Sequence, residues 1–222
     1  MKFDPVSPKS DNQQVYLDVI HNNQIIFALG FPGSGKSFLA LSAALDWLYN
    51  RGKMNGKKIL VLRPMVRANI GEEFIGTLPG ELFEKIQPWF GGIIDNIYKL
   101  LRAQEVQSLI KEGRIEFGSL SLCRGRDFEN CFVIIDEAQN LTYAAIKMAL
   151  TRINSKSKMV IIGDVDQTDL KGTARNDLQE AIQRLEDIEG IANCHLYDPS
   201  DIQRSPLIRK ILERLNGQED NI

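Results

Sequence analysis

One eight-residue segment limits what this chain can fold into more than any other part of it. Residues 30–37 read GFPGSGKS and match the pattern G-x-x-x-x-G-K-[ST] at every fixed position. Residues 24–29 before it predict a buried strand, and residues 37–48 predict a helix that stops near Gly52. A glycine-rich turn between a strand and a helix points backbone N–H groups and the positive helix end at an anion. The sequence therefore predicts a phosphate-binding loop.

The side chains of this loop suit different parts of a nucleoside triphosphate. Lys36 is placed to reach the β- and γ-phosphates, and the Ser37 hydroxyl is placed to ligate Mg²⁺. ATP with magnesium is the expected ligand. The other loop residues expected to surround it are Gly30, Pro32, Gly33, Ser34, Gly35 and Phe38.

Further apolar runs have the same character as the strand before the loop. Residues 58–62, 132–135 and 159–162 are short aliphatic runs, and longer amphipathic stretches separate them. A weaker strand is expected around residues 115–117. Near-continuous apolar strands separated by helices indicate a parallel sheet covered on both faces. The predicted class is α/β, doubly wound, with a mostly parallel sheet.

The chain length suits one domain. All 222 residues are assigned to it, and they are enough to bury a substantial core. Residues 1–12 are polar with two prolines, which predicts an extended arm. Residues 71–112 are expected to form a helical insertion, broken at residues 78–80 and at Gly91-Gly92. Without a long apolar run or a signal peptide, a cytoplasmic protein that does not cross a membrane is expected.

Charge and cysteine content add little about function. The net charge of −2 neither indicates nor excludes a nucleic-acid partner, since a nearly neutral total can hide a basic patch. Cys123, Cys131 and Cys194 match no zinc-ligand spacing and are interpreted as small buried apolar residues. His21 and His195 have no partner at a spacing that would make either a ligand or a base.

A second motif follows about 100 residues after the loop. The strand at residues 132–135 ends in Asp136 and Glu137, whose side chains should lie on different sides because strand side chains alternate. Asp136 is expected to hold magnesium through its water shell, and Glu137 to polarise the attacking water. Taken alone, the pair also fits an acidic loop after a buried strand. Together with the phosphate loop, it favours hydrolysis.

An amide follows the next strand. Residues 161–167 read IIGDVDQ, so a buried strand ends in Gly-Asp and Gln167 comes three residues later. An uncharged amide just beyond a strand end can lie against the γ-phosphate and respond to its presence. A polar turn at a strand end explains the same residues equally well.

These segments together resemble a known family. DEAQ at residues 136–139, GDVDQ at residues 163–167 and the basic strand end Arg63-Pro64 resemble the first RecA-like domain of superfamily one helicases. The set is more similar still to the PhoH-like ATPases. The matching segments run in the family's order between Gln13 and Arg204, and they are residues 30–37, 63–64, 78–80, 124–126, 136–140, 150–152 and 163–167.

The resemblance implies roles that the residues alone do not show. Gln13 would contact the adenine edge, with Gln14 as an alternative, and Gln167 would couple the γ-phosphate to movement. Arg204 matches an arginine near the end of the family domain. Residues 31–32, Phe-Pro, replace the smaller residues that are more usual there, and neither is expected to offer a side chain to the phosphates.

Hydrolysis in this class needs a cation against the charge that develops on the γ-phosphate. In two-domain helicases a second RecA-like domain supplies it, and this chain is too short to contain one. A homo-oligomer such as a ring of six, with nucleotide at each subunit boundary, is therefore expected. Arg204 and Arg126 are the leading candidates for this arginine finger, ahead of Arg124 and Arg152. Each is also explained as a solvated surface arginine or as one with a local carboxylate partner, which is the commoner situation.

Single-stranded RNA or DNA is the expected polymeric partner. The face that carries nucleic acid in helicases would here include Arg63, Arg67, Lys111 and Arg114. Basic residues at strand ends are ordinary, however, and no series of aromatic residues for base stacking is evident. Residues 89–90, Trp-Phe, are expected to pack in the core or at a subunit boundary rather than on a base.

The leading prediction is a magnesium-dependent ATPase whose hydrolysis drives work on RNA or DNA. Two alternatives stay open. An ATP-gated module would bind ATP to assemble or to hold nucleic acid, with negligible turnover. A nucleotide kinase would share the phosphate loop, but it would lack an Asp-Glu pair followed by G-D-x-x-Q.

Overall fold

The fold is known from a computed structural model of the chain. It describes the backbone of residues 79–88 and 122, and it describes the following residues in full: 2–51, 56–64, 89–121, 123, 125–165, 167–170, 172, 176–203, 207 and 214.

A parallel sheet forms the centre of the described structure. Its six strands are β1 (Ile25–Gly30), β2 (Lys58–Arg63), β3 (Ile115–Ser119), β4 (Cys131–Ile135), β5 (Lys158–Gly163) and β6 (Ile191–Leu196). Their order across the sheet is β3-β2-β4-β5-β1-β6, and every pair of neighbours is parallel. β5 therefore separates the strand before the phosphate loop from the strand that ends in the acid pair. Each of the five predicted strands is present.

Helices cover both faces of this sheet. They are α1 (Asp11–Asn22), α2 (Lys36–Tyr49), α3 (Pro79–Leu100), α4 (Ala103–Lys111), α5 (Tyr143–Leu150) and α6 (Asp177–Leu185). Buried residues of α1 to α4 share one hydrophobic core, and those of α5 and α6 share a second core on the opposite face. This arrangement confirms the doubly wound α/β class. Among the described helices, none is long and apolar enough to cross a membrane.

The predicted N-terminal arm is shorter than expected. α1 begins at Asp11, so the extended part ends two residues early, because the Ser10 side chain caps the helix by accepting from the Gln13 backbone N–H. The arm also packs on the fold. Phe3 is buried, and its backbone N–H donates to Asn50 Oδ1 at 3.1 Å. A Ser followed three residues later by Gln is a sequence signature of a helix start, and it marks the missed helix α1.

The break predicted at Gly91-Gly92 is wrong. α3 runs without interruption through both glycines. Phe90, Ile93 and Ile97 lie on one buried stripe at helical spacing, and burying them outweighs the cost of about 1 kcal/mol for each glycine. Residues 71–78, where the predicted insertion starts, lie outside the described residues.

The three cysteines are buried and free, as predicted. Burial raises the pKa of the Cys123, Cys131 and Cys194 thiols above the ordinary range. A thiol with a raised pKa carries little thiolate at neutral pH, so these side chains act as apolar packing residues.

A buried carboxylate fastens the N-terminal segment to the chain after β6. Asp201 is fully buried. It accepts hydrogen bonds from Ser10 Oγ at 2.6 Å, from Asn12 Nδ2 at 3.0 Å and from the backbone N–H of Asp198 at 3.2 Å. Two residues further on, the backbone N–H of Gln203 reaches the phosphate loop. Asp201 therefore joins the start of α1 to a segment that contacts the loop.

Replacing this carboxylate should destabilise the fold. Asp201→Ala leaves three donors without their acceptor, so we expect the free energy of unfolding to fall by about 2–3 kcal/mol. Urea denaturation followed by circular dichroism measures the loss. The exposed Asp187 offers a matched control, because Asp187→Ala should change the same free energy by less than about 0.5 kcal/mol. Equal losses in the two variants would show that the Asp201 contacts contribute nothing.

Candidate nucleotide and magnesium site

The phosphate loop lies at the carboxyl-terminal edge of the sheet, between β1 and α2. Gly33 and Gly35 adopt positive φ angles of 82° and 86°, which side-chain-bearing residues rarely adopt. At Gly30, an added Cβ would lie 2.3 Å from the carbonyl oxygen of Leu196, so only glycine fits against β6. α2 begins at Lys36, directly after the loop. The loop therefore has the backbone geometry and the helix N-terminus of an anion site.

Lys36 is folded back onto its own loop. Its Nζ donates to the carbonyl oxygens of Gly30 at 2.5 Å and Phe31 at 2.8 Å. Burial lowers the pKa of Lys36 to about 8, against the opposing effects of Asp164, Asp136 and Glu137. A bound phosphate group would replace these two carbonyl oxygens as the partners of the Lys36 ammonium.

The two acids after β4 have different surroundings, as the alternation of a strand predicts. Asp136 is buried, and its Oδ1 accepts a hydrogen bond from Ser37 Oγ at 2.9 Å. Glu137 is exposed and has a left-handed backbone with φ of 60°. This conformation is costly for a residue with a side chain, and it turns the Glu137 carboxylate away from the strand direction into the cleft.

Arg63 belongs to this site, although sequence reasoning placed it on a nucleic-acid face. Its Nε and Nη2 donate to Asp136 Oδ2 at 3.0 and 2.5 Å, and Nη2 lies 3.7 Å from Glu137 Oε1. The reason is topological: β2 pairs with β4, so the residue that ends β2 lies beside the residue that follows β4. From the sequence, Arg63 was expected at a strand end, where such folds bind ligands, but its contact with the acid pair was not predicted.

The other basic residues assigned to that face do not accompany Arg63. In the parallel pairing of β2 with β3, Arg63 lies opposite Ser119, whereas Arg114 precedes the start of β3. Arg114 and Lys111 therefore lie at the amino-terminal edge of the sheet, opposite to Arg63. The single basic face predicted from the sequence is wrong in this respect, and Arg67 lies outside the described residues.

A second missed residue is Gln139. It is buried, and its Nε2 donates to Glu137 Oε2 at 2.7 Å while its Oε1 accepts from the Asp164 backbone N–H at 3.2 Å. Gln139 therefore joins the acid pair to the end of β5. Gln167, the amide singled out from the sequence, is exposed at the rim of the cleft, where its backbone N–H donates to the carbonyl oxygen of Asp164 at 3.1 Å.

Gln13 is buried against the loop, and both ends of its amide bind protein atoms. Its Nε2 donates to the carbonyl oxygen of Ser34 at 3.0 Å, and its Oε1 accepts from the Lys9 backbone N–H at 2.8 Å. Gln13 thus braces the phosphate loop in this conformation. Gln14, the alternative, is exposed and donates to Asp18 at 2.9 Å.

The loop and the acids open onto one cleft of about 700 Å³, a volume typical of a small-molecule site. One wall comes from the N-terminal segment, and another comes from α3, which the sequence did not assign to the site. Of the predicted ligand-binding residues, Gly30 and Ser34 are buried beneath the surface of the loop. The predicted residues that line the cleft are Gln13, Pro32, Gly33, Gly35, Lys36, Ser37, Phe38, Asp136, Glu137 and Gln167.

The donor set suits magnesium bound together with a nucleotide. Among the described residues, no group of three or more His, Cys, Asp or Glu side chains could hold a metal ion by itself. The Ser37 hydroxyl, in the first turn of α2, and the Asp136 carboxylate, directly after β4, lie 2.9 Å apart and are hard oxygen ligands. Mg²⁺ is usually held by one or two such ligands, its own waters and substrate phosphates, so these residues fit the ion.

The candidate finger arginines fall into two groups. Within the described part of the chain, Arg126 donates to Glu116 at 2.7 Å and Arg152 lies 3.8 Å from Asp127, and neither lines the cleft. Arg124 and Arg204 lie outside the described residues.

The residue before Arg204 does line the cleft. The Gln203 backbone N–H donates to the carbonyl oxygen of Gly33 at 2.9 Å, which fixes this segment against the phosphate loop. Of the predicted Trp-Phe pair, Phe90 packs in the core, as expected, with its ring 5.4 Å from that of Phe117.

Comparison with known proteins identifies the family of this arrangement. A family model described as PhoH-like protein matches residues 5–216. A PhoH-like protein of Synechocystis is 37% identical over 97% of this chain and 63% of its own length. One of Bacillus subtilis is 39% identical over 95% of this chain and 64% of its own, and Protein PhoH of Escherichia coli is 33% identical over 94% and 57%. The chain thus spans about three fifths of the length of these relatives.

Solved structures with a similar fold are more distant. The helicase domain of Pyrococcus furiosus Hef has a TM-score of 0.48 at 17% identity, covering 85% of this chain and 38% of that one. The UvsW helicase of bacteriophage T4 has a TM-score of 0.47 at 14% identity, covering 86% and 63%.

The environment of Lys36 predicts an unusual titration. In the nucleotide-free protein, Lys36 should titrate near pH 8, well below the ordinary lysine value of 10.5. Inorganic triphosphate should raise this pKa, because a nearby anion favours the ammonium form. Binding above pH 8 then takes up a proton, so the affinity for triphosphate should fall as the pH rises through that range. NMR of ¹³C-labelled lysine measures the pKa, with the signal identified by its loss in Lys36→Arg.

Lys158 is the internal comparison for this titration. Burial lowers its pKa to about 8 as well, but its Nζ donates to backbone carbonyls at the end of α1, including that of Ile20. Triphosphate should leave the Lys158 titration unchanged. A Lys36 titration near its ordinary value of 10.5, or one that ignores triphosphate, would contradict the burial that we describe.

Proposed function

Because the chain belongs to the PhoH-like family, we propose that its cleft binds ATP with Mg²⁺ and hydrolyses it, and that hydrolysis is coupled to binding or remodelling of RNA or DNA. One observation carries the proposal. A phosphate loop, a serine bonded to a buried aspartate, and an exposed glutamate converge on a single cleft at the carboxyl edge of the sheet. A kinase would also need the loop, but it would not need the acid pair in this arrangement.

Binding of the phosphates is assigned to the loop and the start of α2. The positive-φ glycines free the backbone N–H groups to donate to phosphate oxygens, and the helix end adds partial positive charge. Lys36 would exchange the carbonyl oxygens of Gly30 and Phe31 for the β- and γ-phosphates. Ser37 and Asp136 would hold the magnesium, which neutralises phosphate charge when bound.

Hydrolysis is assigned to Glu137. Its carboxylate is exposed to the cleft and oriented by the hydrogen bond from Gln139 Nε2. In that position it would accept a proton from a water molecule that attacks the γ-phosphorus, while the bond to the β–γ bridging oxygen breaks to give ADP and phosphate. Gln139 also accepts a hydrogen bond from the backbone N–H of Asp164, directly after β5. Loss of the γ-phosphate would therefore change the contacts of the segment that carries Gln167.

The glutamate separates turnover from binding. Glu137→Gln keeps the size of the side chain and removes the proton acceptor, so kcat should fall by about 10²- to 10⁴-fold while the Kd for ATP stays within about threefold. Phosphate release and equilibrium binding of ATP with Mg²⁺ measure the two, each with and without single-stranded RNA or DNA. Glu129→Gln, an exposed residue before β4, is the matched control and should match the wild-type protein. A wild-type chain that binds ATP without releasing phosphate would instead favour an ATP-gated binding module.

We also propose that the chain acts as a homo-oligomer, such as a ring of six, with the finger arginine supplied across a subunit boundary. Among the described residues, Arg63 is the only arginine that lines the cleft, and it is bonded to Asp136. Arg204 stays the leading candidate, with Arg126 second. If Arg126 supplied the finger instead, its hydrogen bond to Glu116 would have to break, or the pair would have to lie beside the cleft of the next subunit.

A mixing experiment tests this arrangement. Arg204→Ala should lower kcat by about 10³-fold or more at saturating ATP, because the charge on the transferred phosphoryl group is no longer stabilised. Lys36→Ala should fail to bind ATP but still offer its own Arg204 to a neighbour. Mixing the two inactive variants should therefore restore part of the turnover. A strict monomer in solution with and without ATP and Mg²⁺, or no restoration on mixing, would rule out the shared site, and Arg126→Ala in the same assay tests the second candidate.

A further inference from the structure

Arg63 has a polar partner at every guanidinium nitrogen. Nε and Nη2 donate to Asp136 Oδ2 at 3.0 and 2.5 Å, and Nη2 lies 3.7 Å from Glu137 Oε1. Nη1 donates to the backbone carbonyl of Trp89 in α3. The carbon of the guanidinium lies 5.7 Å from the centre of the Phe90 ring. A single side chain therefore bridges the acid pair and the wall of the cleft.

The electrostatic role of Arg63 follows from the burial of Asp136. This carboxylate is 5% exposed and is followed directly by a second acid, so it requires a counter-charge close by. Lys36 donates instead to the carbonyl oxygens of the loop. In the described structure, the guanidinium of Arg63 is the cation hydrogen-bonded to Asp136, and it is itself 24% exposed at the cleft.

A divalent cation held between Ser37 and Asp136 would bind the carboxylate that Arg63 already contacts. The same carboxylate would then face two cations, the guanidinium and the metal ion, and these repel each other. Nε and Nη2 of Arg63 donate to the same oxygen, Asp136 Oδ2, so reorientation of the carboxylate toward a metal ion moves the one acceptor that they share and loosens the contact. Binding of the cation therefore competes with the hydrogen bonds from Arg63 to Asp136.

The contacts of Arg63 with α3 determine which part of the cleft this competition affects. The Trp89 carbonyl and the Phe90 ring belong to α3, and the next turns of α3 line the cleft through Gly92, Asn96 and Lys99. A change at Asp136 that moves the guanidinium thus also changes a contact of the cleft wall. Its effect would reach the part of the cleft beyond the phosphates.

Resting on the proposed function, we infer that Arg63 is a positioning residue that holds Asp136 in the metal-free protein and gives it up when a divalent cation binds. Its release transmits occupation of the cation site to α3. Removing Arg63 should therefore strengthen cation binding, whereas a purely structural arginine would weaken it when removed.

The affinity for the cation is the first measurement. Electron paramagnetic resonance of free Mn²⁺ gives its Kd in the complex of the full chain with ADP. Arg63→Gln should bind Mn²⁺ about tenfold more tightly than the wild-type protein, and Arg63→Lys should fall between them because it keeps one charge without the forked contact. Arg51→Gln, which removes an arginine 2.8 Å from Asp46 outside the cleft, is the matched control and should leave the Kd unchanged.

The response of α3 is the second measurement, and Trp89 reports it directly. The chain has two tryptophans, so Trp47→Phe leaves Trp89 as the only one. Adding Mg²⁺ to the ADP complex should change the Trp89 emission when Arg63 is present. Neither Arg63→Gln nor Arg63→Lys should show this change, and the lysine variant covers the case in which the glutamine variant fails to fold.

The possible results separate a failure of this inference from a failure of the proposed function. Equal or weaker Mn²⁺ binding by Arg63→Gln, or a Trp89 response that survives both substitutions, overturns the inference while leaving ATP binding untouched. A wild-type protein that binds no ADP in the presence of Mg²⁺ overturns the proposed function itself, and the inference with it.

Discussion

The carboxylate of Asp136 connects the parts of the chain that make the site. Its Oδ1 accepts from Ser37 in the first turn of α2, and its Oδ2 accepts from Arg63 at the end of β2. These partners are 99 and 73 residues away along the chain. Because a buried carboxylate is costly without such partners, the phosphate loop, β2 and β4 are held in one relative arrangement.

The charges in the cleft form a balanced set before any ligand is present. Lys36 binds the carbonyl oxygens of its own loop, Arg63 binds Asp136, and Gln139 binds Glu137. A nucleotide would therefore exchange partners within the site rather than fill a set of unsatisfied groups. These internal hydrogen bonds explain how a buried aspartate, an exposed glutamate and a lysine of lowered pKa coexist at one edge of the sheet.

The outer side of the phosphate loop is held by distant segments as well. Gln13 in α1 donates to the carbonyl oxygen of Ser34, and the backbone of Gln203 donates to that of Gly33. Asp201 ties the same two segments to each other through Ser10. The loop is therefore held by α1 and by the segment that follows β6, so its conformation depends on both.

Local patterns determined a large part of this protein. The strand, loop and helix around residues 30–37, the acid pair after β4 and the buried aliphatic strands follow from residue type and spacing over short stretches. β6 alternates only weakly between apolar and polar residues, and α1 is mostly polar, so neither element was predicted from the sequence. The prediction also failed at Gly91-Gly92, where tertiary burial of the flanking residues overrides the intrinsic preference of glycine.

The sequence by itself determined that a phosphate loop and two acids are present and that they follow buried strands. Only the tertiary structure decided which other residues join them. Arg63 reaches Asp136 because β2 pairs with β4, and Gln139 reaches the backbone of Asp164 because β5 lies beside β4. Strand order depends on the summed burial of many distant residues, so no short segment encodes it, and the neighbours of a side chain in the cleft are fixed only when the sheet is assembled.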